Sequence, residues 1–141
     1  MFTYPVGYRL FHPNDIINYQ INRWLPTAEE GEFTEAAKVA SLLDWEKAML
    51  RLAERAAAEK RHLHASTYYR AAEFFMGFDR PEKLQVYSRY REQVARVETG
   101  ATYERVEVPF RGGKLPSYRY RAKGLRRDTL VIHGGFDSFV E

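Results

Sequence analysis

The chain has 141 residues, enough for one ordinary domain, and its 45% hydrophobic and 15% aromatic content predicts a packed core and excludes general disorder. It contains no cysteine, which excludes disulfides and thiolate metal sites. Its net charge of +3 by itself argues neither for nor against a polyanionic partner.

The N-terminal residues 1–12 lack the basic start and apolar run of a signal peptide, and no stretch of the chain approaches the length of a membrane span. A cytoplasmic protein without membrane contact is therefore expected. Four aromatic residues in this segment predict an extended arm that lies across a partner surface. They are Phe2, Tyr4, Tyr8 and Phe11.

The first predicted helix follows Pro13, with Asn14 or Asp15 as its N-cap, and Pro26 ends it. Its apolar residues at helical spacing are Ile17, Ile21, Trp24 and Leu25.

The longest helix is predicted from residue 33 or 34 to about residue 61, because this range has no Pro or Gly and is rich in strong helix formers. Thr27 and Glu30 have capping-box spacing, but Gly31 follows immediately and argues against a start there. Two neighbouring apolar stripes predict burial against more than one partner. One stripe comprises Leu42, Trp45, Met49, Leu52 and Ala56, and the other comprises Val39, Leu43, Leu50 and Ala53.

Two shorter helices are predicted next. The third runs from about Ala65 to Met76, is apolar almost all round, and stops at Gly77. The fourth starts at residues 79–82 with Pro81 in its first turn, and it frays near residues 99–100. Its expected apolar contacts are Leu84, Tyr87, Tyr90, Val94 and Val97.

Beyond Gly100 the hydrophobic period changes from helical to alternating, which predicts a helical domain at 1–100 and a second domain at 101–141. The pair Gly112-Gly113 predicts a two-residue hairpin turn. The residues expected to face inward are Val106, Val108 and Phe110 in the first strand, and Tyr118, Tyr120 and Ala122 in the second.

Leu130, Val131 and Ile132 show no polar alternation, which predicts a short strand covered on both faces. Gly134 and Gly135 then leave unhindered backbone N–H groups beyond the strand end. Such groups hold a developing oxyanion when a nucleophile lies opposite them. The alternative is that the strand ends in a tight turn that has no catalytic role.

The run His133-Gly-Gly-Phe-Asp-Ser138 resembles the oxyanion-loop motif of the α/β-hydrolase superfamily. It is most similar to the branch with a helical segment before the hydrolase domain, which includes 2,6-dihydroxypseudooxynicotine hydrolases and fungal polyketide-shortening hydrolases. Residues 68–75 and 108–121 resemble further segments of that branch, in the same order. The resemblance implies an α+β chain, with a helical cap followed by a hairpin and the first buried strand of an α/β-hydrolase sheet.

The resemblance also implies an oxyanion site. Within it, the backbone N–H of Phe136 is the expected donor, and Gly134 and Gly135 allow the close approach. His133 is expected to be structural, because the catalytic His of the family lies farther along the chain.

A substrate pocket for a small-molecule carbonyl compound is the second implied site. Tyr68, Tyr69 and Glu73 are its candidate lining residues, since helical spacing puts Tyr69 and Glu73 on one face. The alternative is that the tyrosines belong to the core and that Arg70 pairs with Glu73 to fix the helix.

The G-x-S-x-G nucleophile motif of the family is absent from these 141 residues. The expectation is therefore the front part of a serine hydrolase that acts on ester, amide or carbon–carbon bonds next to a carbonyl, with no catalytic residue of its own. The alternative is a non-catalytic helical protein whose function is association, for example as a homo-oligomer.

No metal is expected, because His62 and His64 would point in different directions on a helix. No cofactor is expected, because the sequence contains no nucleotide-binding motif. The alternating segment Tyr118-Arg-Tyr-Arg121 has the composition of a nucleic-acid surface. Strand alternation explains the same residues more simply, so no nucleic-acid partner is expected.

Overall fold

A computed structural model describes residues 7–97, 103–122, 124–125 and 127–134. Its backbone contacts divide the chain into a helical unit, Met1–Val97, and a hairpin unit, Glu98–Glu141. The described residues form a mixed α+β structure with five α-helices and one two-stranded antiparallel sheet. None of the described helices is both long and apolar enough to cross a membrane.

The elements in chain order are α1 (Asp15–Trp24), α2 (Glu30–Ala36), α3 (Leu42–Ala58), α4 (His62–Glu73), α5 (Pro81–Val94), β1 (Tyr103–Phe110) and β2 (Gly113–Tyr120). A 3₁₀ turn at Leu25–Thr27 follows α1 and contains Pro26.

The N-cap predicted for α1 is confirmed. The Asn14 side chain accepts hydrogen bonds from the backbone N–H groups of Ile16 and Ile17, at 3.0 and 3.1 Å. The segment before it also contacts this helix, since Asn18 Oδ1 accepts the N–H of Phe11 at 2.7 Å. The described residues of this segment therefore lie against α1 of the same chain, and their contact with a partner surface stays a prediction.

The predicted single long helix is wrong, because α2 ends at Ala36 and a side-chain cap at Ser41 starts α3. The Glu29 carboxylate accepts the N–H groups of Gly31 at 3.2 Å and Glu32 at 2.6 Å, so α2 begins at Glu30 despite the glycine. Ser41 then starts a new helix, since its Oγ accepts the N–H of Asp44 at 3.1 Å. A good N-cap thus begins a helix inside a sequence that has no helix breaker.

The core of the helical unit lies between α3 and its neighbours. The first predicted stripe is buried except at Leu42, whereas Leu43 of the second stripe is 54% exposed. Trp45 is fully buried and donates its indole N–H to the carbonyl of Ala71 in α4 at 2.9 Å. The buried residues of α3 are Trp45, Glu46, Ala48, Met49, Leu52, Ala53 and Ala56.

A left-handed residue, Lys60, turns the chain from α3 into α4 with φ +59°. The N–H of Lys60 donates to the carbonyl of Ala57 at 3.0 Å, and the N–H of Arg61 donates to the carbonyl of Ala56 at 2.8 Å. This is the hydrogen-bond pattern of a Schellman motif, in which glycine is the usual left-handed residue. The tight turn lets α4 begin at His62, three residues before the predicted start at Ala65.

Replacing Lys60 by Gly is expected to stabilise the protein by about 0.5–1 kcal/mol, because a side chain in the left-handed region costs about 1 kcal/mol or more. Urea unfolding monitored by circular dichroism measures this change. Lys60→Ala is the control and should give no gain, since alanine keeps the Cβ atom; equal stability of all three proteins would contradict the assignment.

The hairpin turn is shifted by one residue from its predicted position. Arg111 and Gly112 both have positive φ angles, +45° and +79°, and Gly113 pairs with Phe110. Two positive φ angles in a two-residue loop are typical of the type I′ turn, whose twist suits a hairpin.

This register places the two predicted inward-facing sets on opposite faces of the hairpin. Val108 lies opposite Leu115, whereas Tyr118 lies opposite Arg105. Because side chains alternate along a strand, Val106, Val108, Phe110 and Leu115 share one face, and Tyr103, Tyr118 and Tyr120 share the other. The expectation that valines and tyrosines face inward together is wrong, and each face carries its own apolar cluster.

Candidate functional site

The segment that precedes the predicted oxyanion site has no regular secondary structure. Leu130, Val131 and Ile132 are 83, 80 and 84% exposed and form no strand. The predicted strand, covered on both faces, is therefore not formed in the described structure. The reason is that a strand needs a neighbour to bond its backbone, and the two described strands pair only with each other.

Only part of the predicted oxyanion site lies within the described residues. Gly134 is exposed, and the Nδ1 atom of His133 lies 3.1 Å from the Gly134 carbonyl oxygen. Since a carbonyl oxygen only accepts, Nδ1 carries the proton in this contact. Gly135 and Phe136 lie outside the described residues, so the oxyanion hole stays a prediction.

The three residues predicted to line a substrate pocket are all buried in the helical unit. Tyr68, Tyr69 and Glu73 are 0, 4 and 1% exposed. The Tyr68 ring stacks on Phe33 with centroids 5.6 Å apart. These contacts agree with the alternative that the tyrosines belong to the core. The substrate pocket stays a prediction.

The predicted pair of Arg70 with Glu73 is present and has a third member that the sequence pattern did not indicate. Lys83 of α5 places its Nζ 2.5 Å from the Glu73 carboxylate, and it also donates to the backbone carbonyls of Glu73 and Met76 at 3.0 Å. The Arg70 guanidinium lies 5.4 Å from the Phe74 ring centroid. The buried carboxylate is thus paired with two cations, which offsets the cost of its desolvation.

The most extensive polar cluster surrounds Glu32, a residue that sequence reasoning missed. Its carboxylate accepts from Arg61 at 2.6 and 3.1 Å, from Arg55 at 2.6 Å, and from the hydroxyl of Tyr68 at 2.7 Å. The Tyr68 hydroxyl in turn accepts the backbone N–H of Glu29 at 2.9 Å. The cluster joins α2 to the end of α3 and to α4.

These contacts shift the pKa values of the cluster. Partial burial by itself raises the pKa of Glu32, but hydrogen bonds from Arg61, Tyr68 and Arg55 outweigh it and lower the pKa to about 2. Burial raises the pKa of Tyr68 above its ordinary value. Burial, together with the charge of Arg61, lowers the pKa of His64, whose Nδ1 lies 2.9 Å from an Arg61 nitrogen. Because a guanidinium only donates, His64 accepts through Nδ1.

The Glu32 cluster is suited to stability and not to catalysis. Both carboxylate oxygens already accept two hydrogen bonds, and a carboxylate with a pKa of about 2 is a poor base near neutral pH. Two of its members, Glu32 and Arg61, are 29 residues apart in sequence. No periodic signal connects such positions, which explains why the pattern of the sequence did not reveal them.

Glu32→Gln is expected to reduce the pH dependence of folding. A pKa lowered from 4.5 to about 2 in the folded protein stabilises it above pH 4.5, and this contribution is lost as the pH falls toward 2. The variant should lose up to about 3 kcal/mol of unfolding free energy at pH 7. The two proteins should converge near pH 2, as measured by urea unfolding across this range.

Glu35→Gln is the matched control on α2, because Glu35 pairs with Lys38 in an exposed i,i+3 ion pair that contributes little. If Glu32→Gln kept the wild-type difference between pH 7 and pH 2, the pairing would not be the source of this stability.

Among residues 7–97 and the described parts of the hairpin unit, no group of three His, Asp or Glu side chains is arranged to hold a metal ion. No protein-family model matches the chain, and a search of curated proteins gives no significant match. The resemblance to α/β-hydrolases therefore stays a prediction from the sequence.

Proposed function

We propose that this chain forms the front part of an α/β-hydrolase-type serine hydrolase. In this proposal the helical unit is the cap over the substrate, the hairpin begins the catalytic sheet, and residues 129–138 supply its first buried strand and oxyanion loop. The substrate class is a small carbonyl compound, cleaved at an ester, amide or adjacent carbon–carbon bond.

The observation that carries the proposal is that both hairpin faces carry apolar or aromatic residues. Val108, Phe110 and Leu115 on one face are 46, 51 and 49% exposed, while Tyr103 and Tyr120 on the other are 40 and 62% exposed. A sheet that faces water on one side needs apolar residues on one face only. A sheet with helices on both faces needs them on both, which is the architecture of an α/β protein.

The exposed aliphatic run adds a second support. Leu130, Val131 and Ile132 suit a central strand that is buried on both faces, once neighbouring strands are present. The backbone then reaches Gly134 and Gly135 at the strand end, where side chains do not obstruct the approach of a substrate oxygen. Donation from the N–H of Phe136 to the negative oxygen of a tetrahedral intermediate is the chemistry that this loop offers.

The remaining catalytic groups in this proposal come from polypeptide outside these 141 residues. A serine attacks the carbonyl carbon after a histidine takes its proton, and an acidic residue orients that histidine. The oxygen that becomes negative turns toward the loop at 134–136. In the cap, the buried pairs of Glu73 with Arg70 and Lys83 join α4 to α5.

Fluorophosphonate labelling tests the proposal, since this probe marks activated serines. The 141-residue chain should stay unlabelled, and a longer product of the same reading frame should be labelled. Label on the short chain would contradict the absence of a nucleophile, with Ser138 as the residue to mutate. A reading frame without a G-x-S-x-G continuation, or an unlabelled longer product, would favour the non-catalytic association role.

The oxyanion donor has its own test in the labelled longer product. Phe136→Pro removes the backbone N–H, so kcat for an activated ester should fall roughly 100–1000-fold. Phe136→Ala keeps the N–H and should retain most of the activity. Equal activity of the two variants, both shown to be folded by circular dichroism, would exclude this N–H as the donor.

A further inference from the structure

The two outer edges of the hairpin differ in their capacity to pair with another strand. In a hairpin closed by a two-residue turn, Phe110 and Gly113 form a hydrogen-bonded pair, and such pairs alternate with pairs whose backbone groups point outward. Outward pairs therefore include Arg105 with Tyr118 and Glu107 with Pro116.

Both prolines of the hairpin occupy outward positions, where they remove an edge donor. Pro116 lies in the middle of β2 and interrupts its edge. Pro109 lies near the turn end of β1, so the donors of Tyr103, Arg105 and Glu107 remain continuous. Among the described residues the sheet has only two strands, and the outer edge of β1 is unpaired.

We propose that the outer edge of β1 pairs antiparallel with β1 of a second copy of this chain, forming a four-stranded sheet across a two-fold axis. The interaction depends on β1 alone and does not rest on the proposed hydrolase activity. Charge complementarity within the strand identifies the second copy as the partner.

The charges of β1 select one register for this pairing. In a first symmetric register Arg105 faces Arg105 of the second copy, which is unfavourable. In a register shifted by two residues, Arg105 faces Glu107 of the second copy, and the two-fold axis repeats this opposite-charge pair. Both side chains are accessible, since Arg105 is 44% and Glu107 46% exposed. Within one chain Glu107 also contacts Arg105 at 3.5 Å and Lys114 at 3.0 Å, and a carboxylate has the capacity to accept from a further cation beside these exposed pairs.

The selected register also extends the apolar face of the hairpin. It places Val106 beside Val106 of the second copy, so the Val106, Val108, Phe110 and Leu115 clusters become continuous across the axis. Tyr103 faces Pro109, whose carbonyl still accepts a hydrogen bond although its nitrogen donates none.

Charge exchange tests the interface by sedimentation equilibrium of the 141-residue protein. The wild type should show a monomer–dimer equilibrium. Arg105→Glu places like charges opposite each other twice and should raise the dimer dissociation constant roughly tenfold. The double variant Arg105→Glu/Glu107→Arg restores opposite charges and should recover most of the wild-type affinity.

Arg111→Glu is the matched control, because it makes the same change of charge in the turn, outside the paired register. It should dimerise like the wild type. A wild type that stays monomeric, an Arg105→Glu dimer as tight as the wild type, or a double variant as weak as the single one would overturn the proposal.

Discussion

The side chain of Tyr68 joins α2 to α4, and the polar cluster of the helical unit is built around this contact. Its ring stacks on Phe33, which also packs edge-on against Trp45 with centroids 5.8 Å apart. Its hydroxyl accepts the N–H of Glu29, the N-cap of α2, and donates to Glu32. One buried side chain thereby satisfies a helix N-terminus and anchors the carboxylate that pairs with the end of α3.

The two units differ in how completely they bury their apolar residues. The helical unit has a closed core, in which the largest side chains, such as Trp45 and Tyr68, are fully buried. The hairpin unit has apolar residues on both faces and an exposed Leu130–Ile132 run. Contiguous exposed apolar surface of this kind is typical of an interaction site. This contrast underlies both the proposed catalytic sheet and the proposed pairing of β1.

Local signals in the sequence predicted the elements that local chemistry controls. Asn14 and Pro81 marked the starts of α1 and α5 correctly, because capping and a fixed φ depend on few neighbours. The predicted long helix was wrong at Ser41, because the side-chain cap of this residue starts α3 there although the surrounding residues favour a continuous helix. The face of Tyr118 was predicted wrongly, because this residue lies opposite Arg105 and not on the face of Val106 and Val108. The shift of the turn is not the cause, since moving a two-residue turn by one residue shifts the pairing by two and leaves every side chain on its face.

Protection of residues 130–134 from hydrogen exchange, resolved by residue, tests most directly whether this segment is a strand of a larger sheet. Their amides should exchange rapidly in the 141-residue chain and become strongly protected in a longer product of the same reading frame. Rapid exchange in both proteins would contradict the account, because Leu130–Ile132 would then be no part of a buried strand and His133-Gly134 would not lead into an oxyanion loop.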